Sequence, residues 1–270
     1  MDENDGRRRV VVEGLSPQVD CGRFAARRIV GEPVLIEADV VADGHDQLTA
    51  VLSWWQEGRE DSRIDVAMEP LGNDRWQASF LPQELGRYRY SVKGWIDRFG
   101  TWSSGLRKKL DAAQDVTVDL LVGAELVGAA SKRATGRDAE ALKSYADHLG
   151  RELRDIDDLA FDPELALLMN AYPDTSLAGE WANPLPILVD RPRARFGAWY
   201  EMFPRSSAAP PENASSPPTH GTFADVERRL SYVAGMGFDV LYLPPIHPIG
   251  VSHRKGKNNA EQGAPDDPGS

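Results

Sequence analysis

Phe238-Asp239-Val240-Leu241-Tyr242-Leu243-Pro244-Pro245 reads as an apolar strand of the kind that a parallel sheet buries on both faces. Its neighbours upstream complete a unit. Phe196-Gly197-Ala198-Trp199-Tyr200-Glu201-Met202-Phe203 has the character of a buried strand, and a polar, proline-rich loop runs from Pro204 to His220. Thr222 with Asp225 three residues later approximates a capping box, and Phe223, Val226, Leu230 and Val233 supply the apolar face of a helix. Gly237 stands where a helix needs a left-handed stop. Strand, helix and strand make the first βαβ unit of a parallel α/β structure. A closed (β/α)8 barrel takes roughly 250 residues, far more than residues 196–270. Either a small flavodoxin-like unit or a truncated barrel fits this stretch.

Working back from Phe196, residues 173–195 carry Pro173, Pro184, Pro186 and Pro192 and one short apolar run, Ile187-Leu188-Val189. This composition predicts a linker. From about 119 to 172 the apolar period is helical. Leu142, Tyr145, Ala146, Leu149, Leu153 and Ile156 form one stripe, Asp162-Pro163 restarts a second helix, and Leu120 to Ala130 forms another. Residues 8–118 alternate or carry β-branched and aromatic runs: Arg9 to Glu13, Val34 to Val41, Leu48 to Trp55, Ile64 to Met68, Trp76 to Phe80 and Tyr88 to Ile96. Turn signals between them, such as Asp43-Gly44 and Pro70-Leu71-Gly72-Asn73-Asp74, complete the pattern of an antiparallel β-sandwich. The expected order is therefore a sandwich at 1–118, a helical bundle at 119–172, a linker at 173–195, the start of a (β/α)8 barrel at 196–259 and a disordered tail at 260–270. Trp54, Trp55, Trp76, Tyr88, Tyr90, Trp95, Phe99 and Trp102 fall in the first part. Aromatics in strands pack the core; a sugar-stacking platform is the alternative.

Charge and cysteine content narrow the function. The 42 acidic and 31 basic residues leave a formal charge of -11, which repels nucleic acid and anionic membranes. Cys21 is the only cysteine, so no disulfide closes within the chain. The polar, acidic start Met1-Asp2-Glu3-Asn4-Asp5 lacks the basic and apolar regions of a signal peptide, and no apolar stretch reaches the length of a membrane span. A cytoplasmic location is expected. His220 and His247 are too far apart, with too few partners, to suggest a metal, and no cofactor is indicated.

Tyr200-Glu201-Met202-Phe203-Pro204-Arg205-Ser206, His220-Gly221-Thr222-Phe223, the run from Gly237 to Gly250, and His253-Arg254-Lys255-Gly256-Lys257-Asn258-Asn259 resemble the opening of the alpha-1,4-glucan:maltose-1-phosphate maltosyltransferase family, in the alpha-amylase superfamily. A strand ending in Pro-Pro-Ile is shared widely in that superfamily; the run His247 to Asn259 is more specific. Glu69 to Trp76 and Trp95 to Phe99 resemble the same family's N-terminal sandwich. The resemblance implies a cytoplasmic enzyme of glycogen biosynthesis that moves maltosyl units from α-maltose 1-phosphate to the non-reducing ends of α-1,4-glucans, releasing phosphate. It implies a homodimer, with sandwich and helices at the contact. It also implies a retaining glycosyltransferase mechanism with an Asp nucleophile and a Glu acid/base, roughly 5–5.5 Å apart across the anomeric carbon. Both carboxylates belong to later barrel strands, so none is assigned here, and the chain is expected to be an inactive N-terminal fragment. A branching or trehalose-forming relative is a second reading, against which the run His253 to Asn259 argues. A stand-alone dimerisation or glycan-binding module is a third.

The substrate-site candidates lie in that run. His253, Arg254, Lys255 and Lys257 form a basic cluster after the second strand, at the end of the sheet where barrel active sites form. A lysine ammonium can donate to sugar hydroxyls or a phosphate. By resemblance Lys255 is the donor-binding lysine, with Asn258 and Asn259 as lesser candidates. Glu201, on the first strand, is read as a polar residue of the barrel interior.

Overall fold

The computed structural model describes residues 6–151, 156–209, 220–247, 250, 252–256 and 259–263. They divide into two compact units, 1–191 and 192–270.

Strands β1 (Val10–Ser16), β2 (Ala26–Ile29), β3 (Val34–Ala42), β4 (Leu48–Gln56), β5 (Ile64–Ala67), β6 (Glu69–Gly72), β7 (Arg75–Phe80) and β8 (Gly86–Ile96) open the first unit. Helices α1 (Arg98–Asp111), α2 (Thr117–Ser131), α3 (Gly136–Leu149), α4 (Ile156–Ala160) and α5 (Pro163–Ala171) follow, and then β9 (Gly179–Glu180) and β10 (Leu185–Asp190). One sheet has the order β1-β3-β7-β6 and the other β2-β10-β8-β4-β5, with β9 added beside β8. All pairs are antiparallel except β10 with β2. Alternation places the core between the sheets. Val34, Ile36, Ala38 and Val40 of β3 point inward, as do Ala50 and Leu52 of β4 and Tyr88, Tyr90 and Val92 of β8. Tyr90 is fully buried and donates its hydroxyl to the Pro17 carbonyl at 2.7 Å; burial also raises its pKa. Trp54 stacks on Phe80 with centroids 4.6 Å apart, so these aromatics are core.

Three stretches differ from the sequence expectation. The first run of sandwich strands breaks off at Ile96, and residues 98–111, assigned above to the sandwich, form α1. Asp97 caps it by accepting from Gly100 N at 2.8 Å, and Trp102 and Leu106 bury on one helical face. Residues 173–195, expected as a linker, instead return to the sandwich as β9 and β10. Leu185, Ile187 and Val189 alternate inward between β2 and β8, so the run Ile187-Leu188-Val189 is a central strand. Pro70 to Gly72, read as part of a turn, belong instead to the edge strand β6. Within the 260–270 tail, residues 260–263 are tied back by hydrogen bonds described below, and 264–270 lie outside the described residues.

The helices bury Trp102, Leu106, Leu120, Val127, Leu142, Leu149, Leu165 and Met169 in a second core. Asp162 caps α5 through Glu164 N at 2.8 Å, with Pro163 at its first turn, as the sequence suggested. Leu142 and Leu149 are buried as the stripe requires, but the stripe does not run on one helix: α3 ends at Leu149 with Gly150 as its C-cap, and Ile156 opens α4; Leu153 lies outside the described residues. Trp102 donates its indole N–H to the Asp119 carbonyl at 2.7 Å, and its ring lies against Gly123 of α2. Among the described residues no helix is long and apolar enough to cross a membrane.

The second unit holds β11 (Trp199–Glu201), α6 (Phe223–Gly235) and β12 (Val240–Tyr242). β11 and β12 are parallel, with Trp199 opposite Val240 and Glu201 opposite Tyr242. Thr222 and Asp225 form the capping box: Thr222 N and Oγ1 both donate to Asp225 Oδ2, at 2.6 and 2.7 Å. These bonds hold the Asp225 carboxyl below the usual range. Gly237, at φ +87°, follows the helix end in the left-handed region. The strands were expected to be buried on both faces, yet Trp199 is 63% and Tyr242 44% exposed. A two-stranded sheet has too few neighbours to cover its own faces.

Glycine in a helix interior ordinarily costs about 1 kcal/mol relative to alanine. At Gly123 the sign reverses, because an added methyl would overlap the Trp102 ring. Gly123→Ala should destabilise the first unit by about 1–3 kcal/mol. Gly105→Ala in α1, where a methyl meets nothing, should stabilise it by up to about 1 kcal/mol. Urea unfolding curves of the two variants against the parent check both signs.

Candidate functional site

In parallel α/β structures, ligands gather beyond the C-terminal ends of the strands. Here those ends are Glu201 and Tyr242, and the chain beyond Tyr242 carries the basic cluster. Asp239, just ahead of β12, ties the strand starts together: Asp239 N donates to the Ala198 carbonyl at 2.9 Å, and Ala198 N donates to Asp239 Oδ2 at 3.1 Å. Tyr200 meets Phe238 edge-on at 5.2 Å. The loop after β11 is fastened to the start of α6. Gly221 N donates to the Arg205 carbonyl at 2.9 Å, and the buried Ser207 hydroxyl donates to the Pro204 carbonyl at 2.5 Å.

Lys255 sits on a small closed loop. Gly256 N donates to the Ala260 carbonyl at 2.9 Å and Gly263 N to the Arg254 carbonyl at 3.1 Å. His253 and Asn259 take left-handed conformations at φ +56° and +63°. Lys255 and Asn259 are both exposed on this loop, whereas Asn258 lies outside the described residues. Arg254 is half-buried, and its buried Nε has no hydrogen-bond partner among the described residues. Glu201 is exposed. His220 and His247 are exposed as well, and among the described residues no three His, Cys, Asp or Glu side chains come together as metal ligands.

The first unit carries a feature that sequence reading did not locate. A cleft of about 1090 Å³ opens between the outward face of β4, β5 and β8 and helices α2 and α5. Its sandwich wall includes Lys93, Trp95 and Arg63, and its helical wall includes Glu125, Arg133 and Asn170. Arg63 is held by Ser53 Oγ at 2.8 Å and Glu180 Oε1 at 3.4 Å, and its guanidinium lies 5.3 Å from the Trp55 ring centroid. Asp174 accepts from Ser176 Oγ at 2.6 Å and from its N at 3.0 Å. These bonds, helped by Arg133 and Arg98, hold its carboxyl below the usual range, so it is anionic at neutral pH. The only signal in the sequence was the aromatic pair Trp95 and Phe99; that β8 passes straight into a helix, which forms the cleft's corner, was not visible.

A β-sandwich interrupted by a helical bundle and followed by a parallel βαβ unit defines the class of this chain. Residues 8–191 match the family described as alpha-1,4-glucan:maltose-1-phosphate maltosyltransferase, domain N/S, and the chain belongs to that family. Curated relatives carrying the name alpha-1,4-glucan:maltose-1-phosphate maltosyltransferase include proteins of Chlorobaculum tepidum (44% identical over 98% of this chain), Myxococcus xanthus (44% over 97%) and Mycobacterium tuberculosis (38% over 97%). The chain spans 39%, 40% and 41% of the lengths of these relatives.

The loop geometry makes its own demand. A methyl at Gly221 would overlap the Pro204 carbonyl and the Ser207 hydroxyl. Gly221→Ala should therefore cost about 1–3 kcal/mol in the second unit and speed deuterium exchange at the amides of Ser206 and Ser207. Unchanged exchange at these amides would show that the loop is not held as described.

Proposed function

We propose that this chain is the N-terminal portion of a retaining maltosyltransferase, acting in the cytoplasm, that transfers maltosyl units from α-maltose 1-phosphate to the non-reducing ends of α-1,4-glucans. In this reaction the anomeric C–O bond to phosphate breaks, phosphate leaves, and the maltosyl carbon passes to a carboxylate and then to an acceptor hydroxyl. The reading is carried by similarity that runs through both units to the same set of enzymes, 97–98% of the chain at 38–44% identity. The catalytic Asp and Glu are proposed to come from the portion of the family's length that these residues do not match. The second unit is proposed as the opening βαβ of a (β/α)8 barrel. Its exposed apolar residues support this: Trp199, Phe203, Leu230 and Tyr242 lie uncovered on the strands, the loop after β11 and α6, where further strands and helices of a barrel would pack. Lys255, with Asn258 and Asn259 beside it in sequence, is proposed to bind the donor.

The enzyme is proposed to work as a homodimer. Helix α2 carries apolar residues on its outer side as well as its inner one: Leu120, Gly123 and Val127 face the bundle core, while Val118 is 71% and Leu121 55% exposed. A helix apolar on both sides is ordinarily a buried one.

Three measurements test these proposals. The 270 residues alone should release no inorganic phosphate from α-maltose 1-phosphate above a protein-free control, whereas a family-length polypeptide carrying them should do so. In that longer enzyme Lys255→Ala should lower kcat/KM for the donor by about ten- to a hundred-and-fifty-fold, the value of about 1.5–3 kcal/mol for one charge-assisted hydrogen bond, with little change in Tm. Equal losses from Lys257→Ala would mean that bulk charge, rather than a placed contact, is at work. Leu121→Glu should shift the species seen by light scattering from dimer to monomer, and an unchanged mass would refute the α2 contact.

A further inference from the structure

We propose that the cleft between the sandwich and the helical bundle is a holding site for a linear α-1,4-glucan chain, laid along Trp95 and built by the first unit alone. The inference rests on the α-glucan reading above for the identity of the ligand. Shape is the first argument. A second cavity of about 300 Å³ adjoins the cleft, and the two share Trp95, Ile96, Arg98 and Asp174 in their walls. Trp95 thus faces space in both, which gives a ligand longer than one sugar unit room on its aromatic side chain.

The chemistry of the walls is the second argument. Trp95 is half-buried, unlike the core aromatics Tyr88 and Tyr90, so part of its ring remains open to a ligand. A pyranose presents an apolar face of C–H groups that packs on an indole, while its rim of hydroxyls both donates and accepts. The polar groups around Trp95 match that rim. The side chains of Lys93 and Glu125 make no hydrogen bond or ion pair among the described residues, although both line the cleft. Four cationic residues, Arg63, Lys93, Arg98 and Arg133, and five acidic ones, Asp65, Asp97, Glu125, Asp174 and Glu180, share its lining. A polyanion would meet the five carboxylates, and an apolar ligand would strip water from charges of both signs without repaying them. A neutral polyhydroxylated chain instead uses both signs, donating to the carboxylates and accepting from the cations.

Affinity electrophoresis of the 270-residue chain in gels containing glycogen, with calorimetric titration of maltoheptaose, tests the site. The parent chain should be retarded. Trp95→Ala should weaken binding by about tenfold or more, and Lys93→Ala/Glu125→Ala, whose side chains hold no other part of the fold, should weaken it as well; if Trp95→Ala fails to fold, the double variant carries the test. Absence of glucan binding by the parent chain would overturn the proposal, as would folded variants that bind like the parent. Binding lost on Lys255→Ala but retained in the cleft variants would also overturn it, while leaving the proposed function standing. Failure of a family-length enzyme to turn over α-maltose 1-phosphate would remove the function reading whatever the cleft binds.

Discussion

The first unit depends on strand β8. Along one edge it pairs with β4 over nine residues, from Leu48 opposite Ile96 to Gln56 opposite Tyr88. Along the other it pairs first with β10 and then with β9. Its inward residues Tyr88, Tyr90 and Val92 fill the space between the sheets, and its last residue, Ile96, leads through the Asp97 cap straight into α1. Sandwich and bundle are thus joined by a rigid corner of strand, cap and helix, rather than by a linker. The return of the chain from α5 to β9 and β10 closes that corner from the other side. Gly179 has no room for a side chain, because a Cβ there would overlap the Val10 carbonyl. The bundle is therefore an insertion whose two ends meet on neighbouring sites of one sheet. That arrangement forms the cleft.

The second unit shows the opposite balance. Its local structure is well specified, with a reciprocal cap on α6, a left-handed glycine after it and a hydrogen-bonded Asp239 at the strand starts. Many of its apolar side chains, however, stay exposed, Trp199, Phe203, Leu230 and Tyr242 among them. Local hydrogen bonding can define such a unit, but apolar burial is what stabilises one against chain entropy. In the proposed enzyme the missing burial comes from the remainder of a barrel.

Much of this was legible in the sequence, and the failures have physical causes. Strands β1, β3, β4, β5, β7 and β8 announce themselves through β-branched and aromatic runs, and the caps at Asp162 and Thr222 through their spacing. Helix α1 was missed because Phe99, Gly100, Trp102, Ser103 and Gly105 have strand-like or weak helical propensities, which the Asp97 cap and the Trp102–Gly123 contact override. Strand β10 was missed because Pro184 and Pro186 flank Leu185. Pro186 is tolerated because β2 joins β10 only from Ile187 onward, so Pro186 stands near the start of the strand with β8 on one side alone. At the candidate site the sequence led to Lys255 through a matched run of residues. It could not show the cleft, whose walls come from segments more than a hundred residues apart, from Thr49 to Glu180.

The central claim is that the second unit opens a larger parallel α/β domain in an enzyme of this family. Hydrogen–deuterium exchange of the amides in β11, α6 and β12 tests it most directly, read in the 270-residue chain and again in a family-length polypeptide. The account predicts fast exchange across these elements in the shorter chain, slow exchange in the longer one, and unchanged protection in β3 and β8 of the sandwich. Equal and strong protection of β11 and β12 in both would contradict it, because the unit would then be stable without the strands proposed to cover it.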